Sequence, residues 1–182
     1  MSRLVNHGLL ITFLSFFVCG AMSQVRKNKE LDGILGRFPG YHLLRLQELD
    51  SAAKDFFAGH FPKQSPSVVR GDFDGDGNPD YALLLRGNKS TSAKLVVLLC
   101  SRRSECKSIY DLDLTAYSDS VYLRPASVGS RVSQRDSIPP NDSGLSKRLT
   151  SLGVEITHFE KAKVVLSWNA KRKRMDEIQV GD

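Results

Sequence analysis

The chain has 182 residues, with 26 Lys and Arg against 20 Asp and Glu, giving a formal net charge of +6. This length suits one domain with a genuine core. Only the N-terminal region holds a long apolar run, and no second run approaches the length of a membrane-spanning helix.

Residues 1–23 read as a cleavable signal peptide. Arg3 supplies a positive start and Leu9–Val18 an apolar run. Ala21 and Ser23 place small residues at −3 and −1 before a cut at Gln24. The run is too short for a comfortable membrane span. An uncleaved anchor is one competing reading. A lipoprotein cut before Cys19 is the other, disfavoured by bulky Val18. The reading implies a periplasmic or secreted protein with no membrane span after cleavage. Residues 24–182 are then expected to form a single, mildly basic domain.

Gln24–Lys29 is polar and reads as a loose start. Gly33, Gly36 and Pro39 discourage a long helix over the next stretch. Tyr41–Leu46 suits a short strand or a helical turn. From Asp50 a helix is better supported. Asp50 or Ser51 can cap it, Ala52, Ala53, Phe56 and Phe57 give it an apolar face, and Gly59 with Pro62 ends it.

Ser67–Arg70 reads as a strand entering Asp72-Phe73-Asp74-Gly75-Asp76-Gly77-Asn78-Pro79-Asp80. Four aspartates stand at relative positions 1, 3, 5 and 9, with glycine at 6. Calcium takes six to eight oxygen ligands in a flexible shell, and carboxylates at alternate loop positions supply them. Asp72, Asp74, Asp76 and Asp80 are the candidate side-chain ligands, with Asn78 giving its backbone carbonyl. Without a cation these carboxylates repel one another. Magnesium demands strict octahedral geometry, and zinc would call for His or Cys, which the loop lacks. An Asp/Gly-rich turn holding no metal is the competing reading. Position 12 of an EF-hand would be a bidentate Glu. Here it is Leu83, inside the strand-like run Tyr81–Arg86.

Gly71–Leu84, GDFDGDGNPDYALL, resembles the calcium loop of FG-GAP repeats. The resemblance implies Ca2+ held by those aspartates, followed by a strand. The tail Gly153–Asp182 is also similar to small single-domain bacterial members with one such loop. Propeller members need several blades of roughly 40–50 residues. The motif occurs once here, so an integrin-like adhesive propeller does not follow.

Lys94–Leu99 forms a second apolar run after Tyr81–Arg86, and the two read as an antiparallel hairpin. Cys100 and Cys106 flank a polar turn at its mouth, and an oxidising compartment would pair them. Such a short loop adds on the order of 2–3 kcal/mol. Ile109–Leu114 and Val121–Leu123 are shorter strand candidates. Pro125–Thr150 is a polar connection. Val154–Phe159 alternates as a half-buried strand, and Val164–Trp168 with Met175–Val180 reads as a closing hairpin. Helix first and strands after favours an α+β fold, an N-terminal helix packed on a largely antiparallel sheet.

No enzyme signature emerges. His42, His60 and His158 lack partners at metal spacing, and neither His-Glu-x-x-His nor Gly-x-Ser-x-Gly occurs. Lys171–Arg174 reads as a solvated basic turn, with no specific nucleic-acid partner. The expectation is an exported calcium-binding domain with a structural or binding role and an unidentified protein or envelope partner. The alternatives are a calcium-dependent hydrolase, or a secreted inhibitor or adhesin docking through residues 125–150. Oligomeric state is not legible in the chain.

Overall fold

A computed structural model describes residues 29–102, 105–133 and 146–181. The signal peptide and cleavage site read from the sequence lie outside these residues, as does the middle of the 125–150 connection. The chain divides into two compact units, Met1–Pro39 and Gly40–Asp182. In the first, residues 29–35 are helical. The helix stops where Gly36 N–H bonds the Asp32 carbonyl and Arg37 N–H that of Ile34.

The second unit holds eleven strands among the described residues. β1 (Tyr41–Leu43), β2 (Val68–Gly71), β3 (Asp80–Gly87), β4 (Ala93–Cys100) and β5 (Cys106–Asp113) form one antiparallel sheet. β1 and β2 share one edge of β3: Leu43 pairs Leu85, and Val68 pairs Leu83. β6 (Val121–Ala126), β9 (Gly153–His158), β10 (Ala162–Asn169) and β11 (Arg174–Gly181) form a second, in the order β11-β10-β9-β6. β7 (Arg131–Ser133) and β8 (Ser146–Arg148) pair as a short ribbon.

The single described α-helix of this unit, α1 (Ser51–His60), starts as the sequence predicts, and two three-residue 3-10 turns, Leu46–Glu48 and Thr115–Tyr117, are the other described helical segments. The Asp50 carboxylate caps α1 by accepting the Ala53 N–H at 2.8 Å. Yet only Ala53 and Phe57 of α1 are buried. The core instead draws on both sheets: Leu84, Leu95 and Val97 from the first, Leu123, Ile156 and Leu166 from the second. The expected α+β class is therefore wrong, and the fold is mostly β. Ten helical residues cover part of a core that two sheets build.

The central hairpin follows its hydrophobicity. β3 and β4 are apolar along nearly their whole length, and both are buried on both faces. Tyr81 pairs Leu98 and Leu85 pairs Lys94, the antiparallel hairpin expected from the two runs. β6 runs past Pro125, where the sequence reading stopped it at Leu123. β6 is the edge of its sheet, and an edge tolerates a missing donor.

Candidate metal centre

The aspartate-rich stretch is the connection of the β2–β3 hairpin, closed where Gly71 pairs Asp80. Inside it, carboxylates organise backbone N–H groups. Asp72 Oδ1 accepts from Gly75 N at 2.7 Å and Asp76 N at 3.1 Å, and its Oδ2 accepts from Gly77 N at 2.9 Å. Asp74 Oδ1 shares the Asp76 N–H at 3.1 Å. This wrapping needs left-handed backbone, and Gly75 and Gly77 supply it at φ of 83° and 85°.

Asp72, Asp74 and Asp80 each present a carboxylate oxygen, all within 4.8 Å of one another. This group could hold a metal ion. Three carboxylate oxygens, with no nitrogen or sulfur donor among them, make a hard donor set suited to a hard cation. Asp76 stands outside the group. Its two oxygens accept from Asn78, Oδ1 from the backbone N at 2.7 Å and Oδ2 from Nδ2 at 2.6 Å.

Asp80 is the anchor. It is fully buried. Its Oδ2 accepts from Phe73 N at 2.8 Å and its Oδ1 from Cys100 N at 2.9 Å. One carboxylate thus ties the loop to the last residue of β4. Burial pushes its pKa up to about 6, against those two N–H bonds, which act to lower it. Burial also raises the Asp74 carboxyl, and the charges of Asp76 and Asp72 add to the effect. Asp76 goes the other way, lowered by the Asn78 bonds. A negative charge at Asp74 or Asp80 is therefore costly in isolation, and a cation at their shared face would offset it.

Three supporting residues escaped the sequence reading. Phe73, fully buried, pins the loop into the core. The only signal for it was a large apolar residue within a polar run. Ser151 Oγ donates to the Phe73 carbonyl at 2.6 Å from the segment before β9. Leu152 lies against Gly71 so closely that a Cβ there would meet Leu152 Cδ2 at 2.1 Å, and any larger residue would have to push that side chain aside.

Cys100 and Cys106 are disulfide-bonded and pair directly across β4 and β5. The bond fits an oxidising compartment. Among the described residues no helix is long and apolar enough to cross a membrane. His42 bonds Glu48 and Asn88, at 2.9 Å and 2.8 Å, while His60 bonds the Phe56 carbonyl at 2.9 Å. Neither belongs to the acidic group. No known protein family, curated protein or solved structure gives a significant match to this chain.

Proposed function

We propose that this is an exported calcium-binding domain of the FG-GAP loop type, in which the ion is a structural clamp rather than a catalytic centre. The observation that carries the reading is the meeting of Asp72, Asp74 and buried Asp80 within 4.8 Å, one shared face made of carboxylate oxygens alone. Asp76 and the Asn78 carbonyl are the groups that would complete a six- to eight-oxygen shell once the ion competes for them. Calcium suits such a set better than magnesium, which keeps its waters, or zinc, which prefers nitrogen and sulfur.

The clamp reading follows from where Asp80 sits. The loop closes at the start of β3, and Asp80 also holds the end of β4. An ion bound there stabilises the two most apolar strands of the fold. Export is supported by the Cys100–Cys106 disulfide and by the signal-like N-terminal sequence. Calcium is plentiful outside the cytoplasm, so the site would be filled there by mass action.

The test is thermal unfolding in calcium, in magnesium and in excess chelator, paired with calorimetric titration. A ligand at 100 times its Kd adds about 2.7 kcal/mol. The expected result is a higher Tm in calcium than in chelator, with magnesium weaker. Superimposable melts and no binding heat would sink the proposal.

A further inference from the structure

The short ribbon and the last hairpin bring together cations that are far apart in sequence. Arg131 on β7 and Arg148 on β8 are directly opposed in the antiparallel register, and both are exposed. Like charges in that position destabilise a strand pair. Lys147, beside Arg148, reaches Asp176 on β11 at 3.7 Å. Arg174 reaches the same carboxylate at 3.6 Å. This joins the ribbon to the turn Lys171–Arg174, every residue of which is exposed. Within that turn Lys173 holds φ of 51°, a conformation cheap for glycine or asparagine and costly for lysine.

Asp176 thus serves two cations at once. Among the described residues, Arg131, Arg148, Lys171, Arg172 and Lys173 form no ion pair. The fold accepts two local costs, an opposed arginine pair and a left-handed lysine, at positions that display positive charge. Next to them the β6–β7 turn projects Val128, 60% exposed. A Cβ on neighbouring Gly129 would lie 3.7 Å from Arg148 Nη2, so the apolar tip adjoins an arginine head.

We propose that the β7–β8 ribbon and the β10–β11 turn form a docking face for an anionic, phosphate-bearing lipid surface, with Val128 entering its rim. Clustered Lys and Arg bind such surfaces additively, and an adjacent aliphatic tip suits a bilayer better than a polyanion in solution. The exposed aromatic rings among the described residues of this unit, Phe56 and Tyr117, lie against Phe159 and His158 at the end of β9, and Trp168, the aromatic nearest the basic turn, packs against the core. The inference is independent of the calcium site.

The test is co-sedimentation of the full chain with phosphatidylglycerol vesicles and with phosphatidylcholine vesicles. The apolar N-terminal run is common to all variants, so the readout is the ratio of the two partition coefficients. The ratio should be well above one and fall with salt. Arg131→Gln/Arg148→Gln and Lys171→Gln/Arg172→Gln should each lower it about thirtyfold. Val128→Ser should lower phosphatidylglycerol partitioning further, and calcium-dependent melting should be unchanged in every variant. A ratio near one overturns the proposal, as does a ratio that the substitutions leave alone. Binding to heparin or duplex DNA without binding to the anionic vesicles also overturns the lipid assignment.

Discussion

The Asp80 carboxylate accepts the Cys100 backbone N–H at 2.9 Å, across the 20 residues that separate the start of β3 from the end of β4. Its other oxygen accepts the Phe73 N–H at 2.8 Å. The residue read from sequence as the ninth position of a metal loop is therefore also a structural anchor.

That double role separates two substitutions. Asp80→Ala strands two buried N–H donors, each costing about 1–3 kcal/mol. It should lower Tm in chelator as well as abolish the calcium response. Asp74→Asn keeps an acceptor oxygen and relieves crowding with Asp72 and Asp76. It should abolish the calcium increment while leaving the chelator melt unchanged or raised. Equal chelator melts for the two variants would show that Asp80 has no anchoring role.

The same contact couples the disulfide to the loop. Cys100 supplies the N–H that Asp80 holds, and its side chain is bonded to Cys106. Cys100→Ser/Cys106→Ser should cost about 2 kcal/mol of stability. It should also weaken calcium binding severalfold, because the β4 end that positions Asp80 is less restrained. Calorimetric titration at a temperature where both proteins are folded checks this. An unchanged calcium Kd would uncouple the two features.

The central hairpin and the clustering of aspartates in the β2–β3 connection were legible because each is a local pattern. Tyr81–Leu85 and Leu95–Leu99 are uninterrupted apolar runs, and Asp72–Asp80 carries aspartates at alternate positions with glycines interspersed. The cap of α1 was legible for the same reason, since Asp50 and Ala53 are neighbours in sequence. What was missed is non-local or too short to show a period. β7 and β8 have three residues each, and nothing in Arg131–Ser133 announces Ser146–Arg148 as its partner. The fold class went wrong on the same account. The helix signal at Asp50 is genuine but marks no layer, since two sheets share the core that α1 reaches only through Ala53 and Phe57. The bond from Cys100 to Asp80 could not be read without the register of β3 on β4.

Gly75 and Gly77 test whether the loop is preformed. Both hold positive φ, and a Cβ at either would meet nothing within 4 Å. Alanine there is penalised by backbone strain alone, about 1–2 kcal/mol per site. Gly77→Ala should reduce calcium affinity about tenfold with little change elsewhere in the fold. Gly77→Asn should cost less, because asparagine tolerates this region. If alanine and asparagine behave alike, the left-handed conformation is not what limits binding.

His158 gives the fold a pH dependence separate from the metal. It is half-buried at the end of β9, edge-on to Tyr117 at 5.0 Å between ring centres. Burial lowers its pKa, and the nearby Lys161 charge lowers it further. An unfolded histidine takes its proton near pH 6.5, and the folded one takes it at lower pH. Between those two values the unfolded state binds more protons, so stability falls as pH drops. The contribution is complete above about pH 6.5 and is lost on acidification toward the folded pKa. Melts from pH 7.5 to 5 in saturating calcium should show a falling Tm for the native chain and a shallower fall for His158→Gln. Parallel curves would mean that the imidazole stays equally accessible to protons in both states.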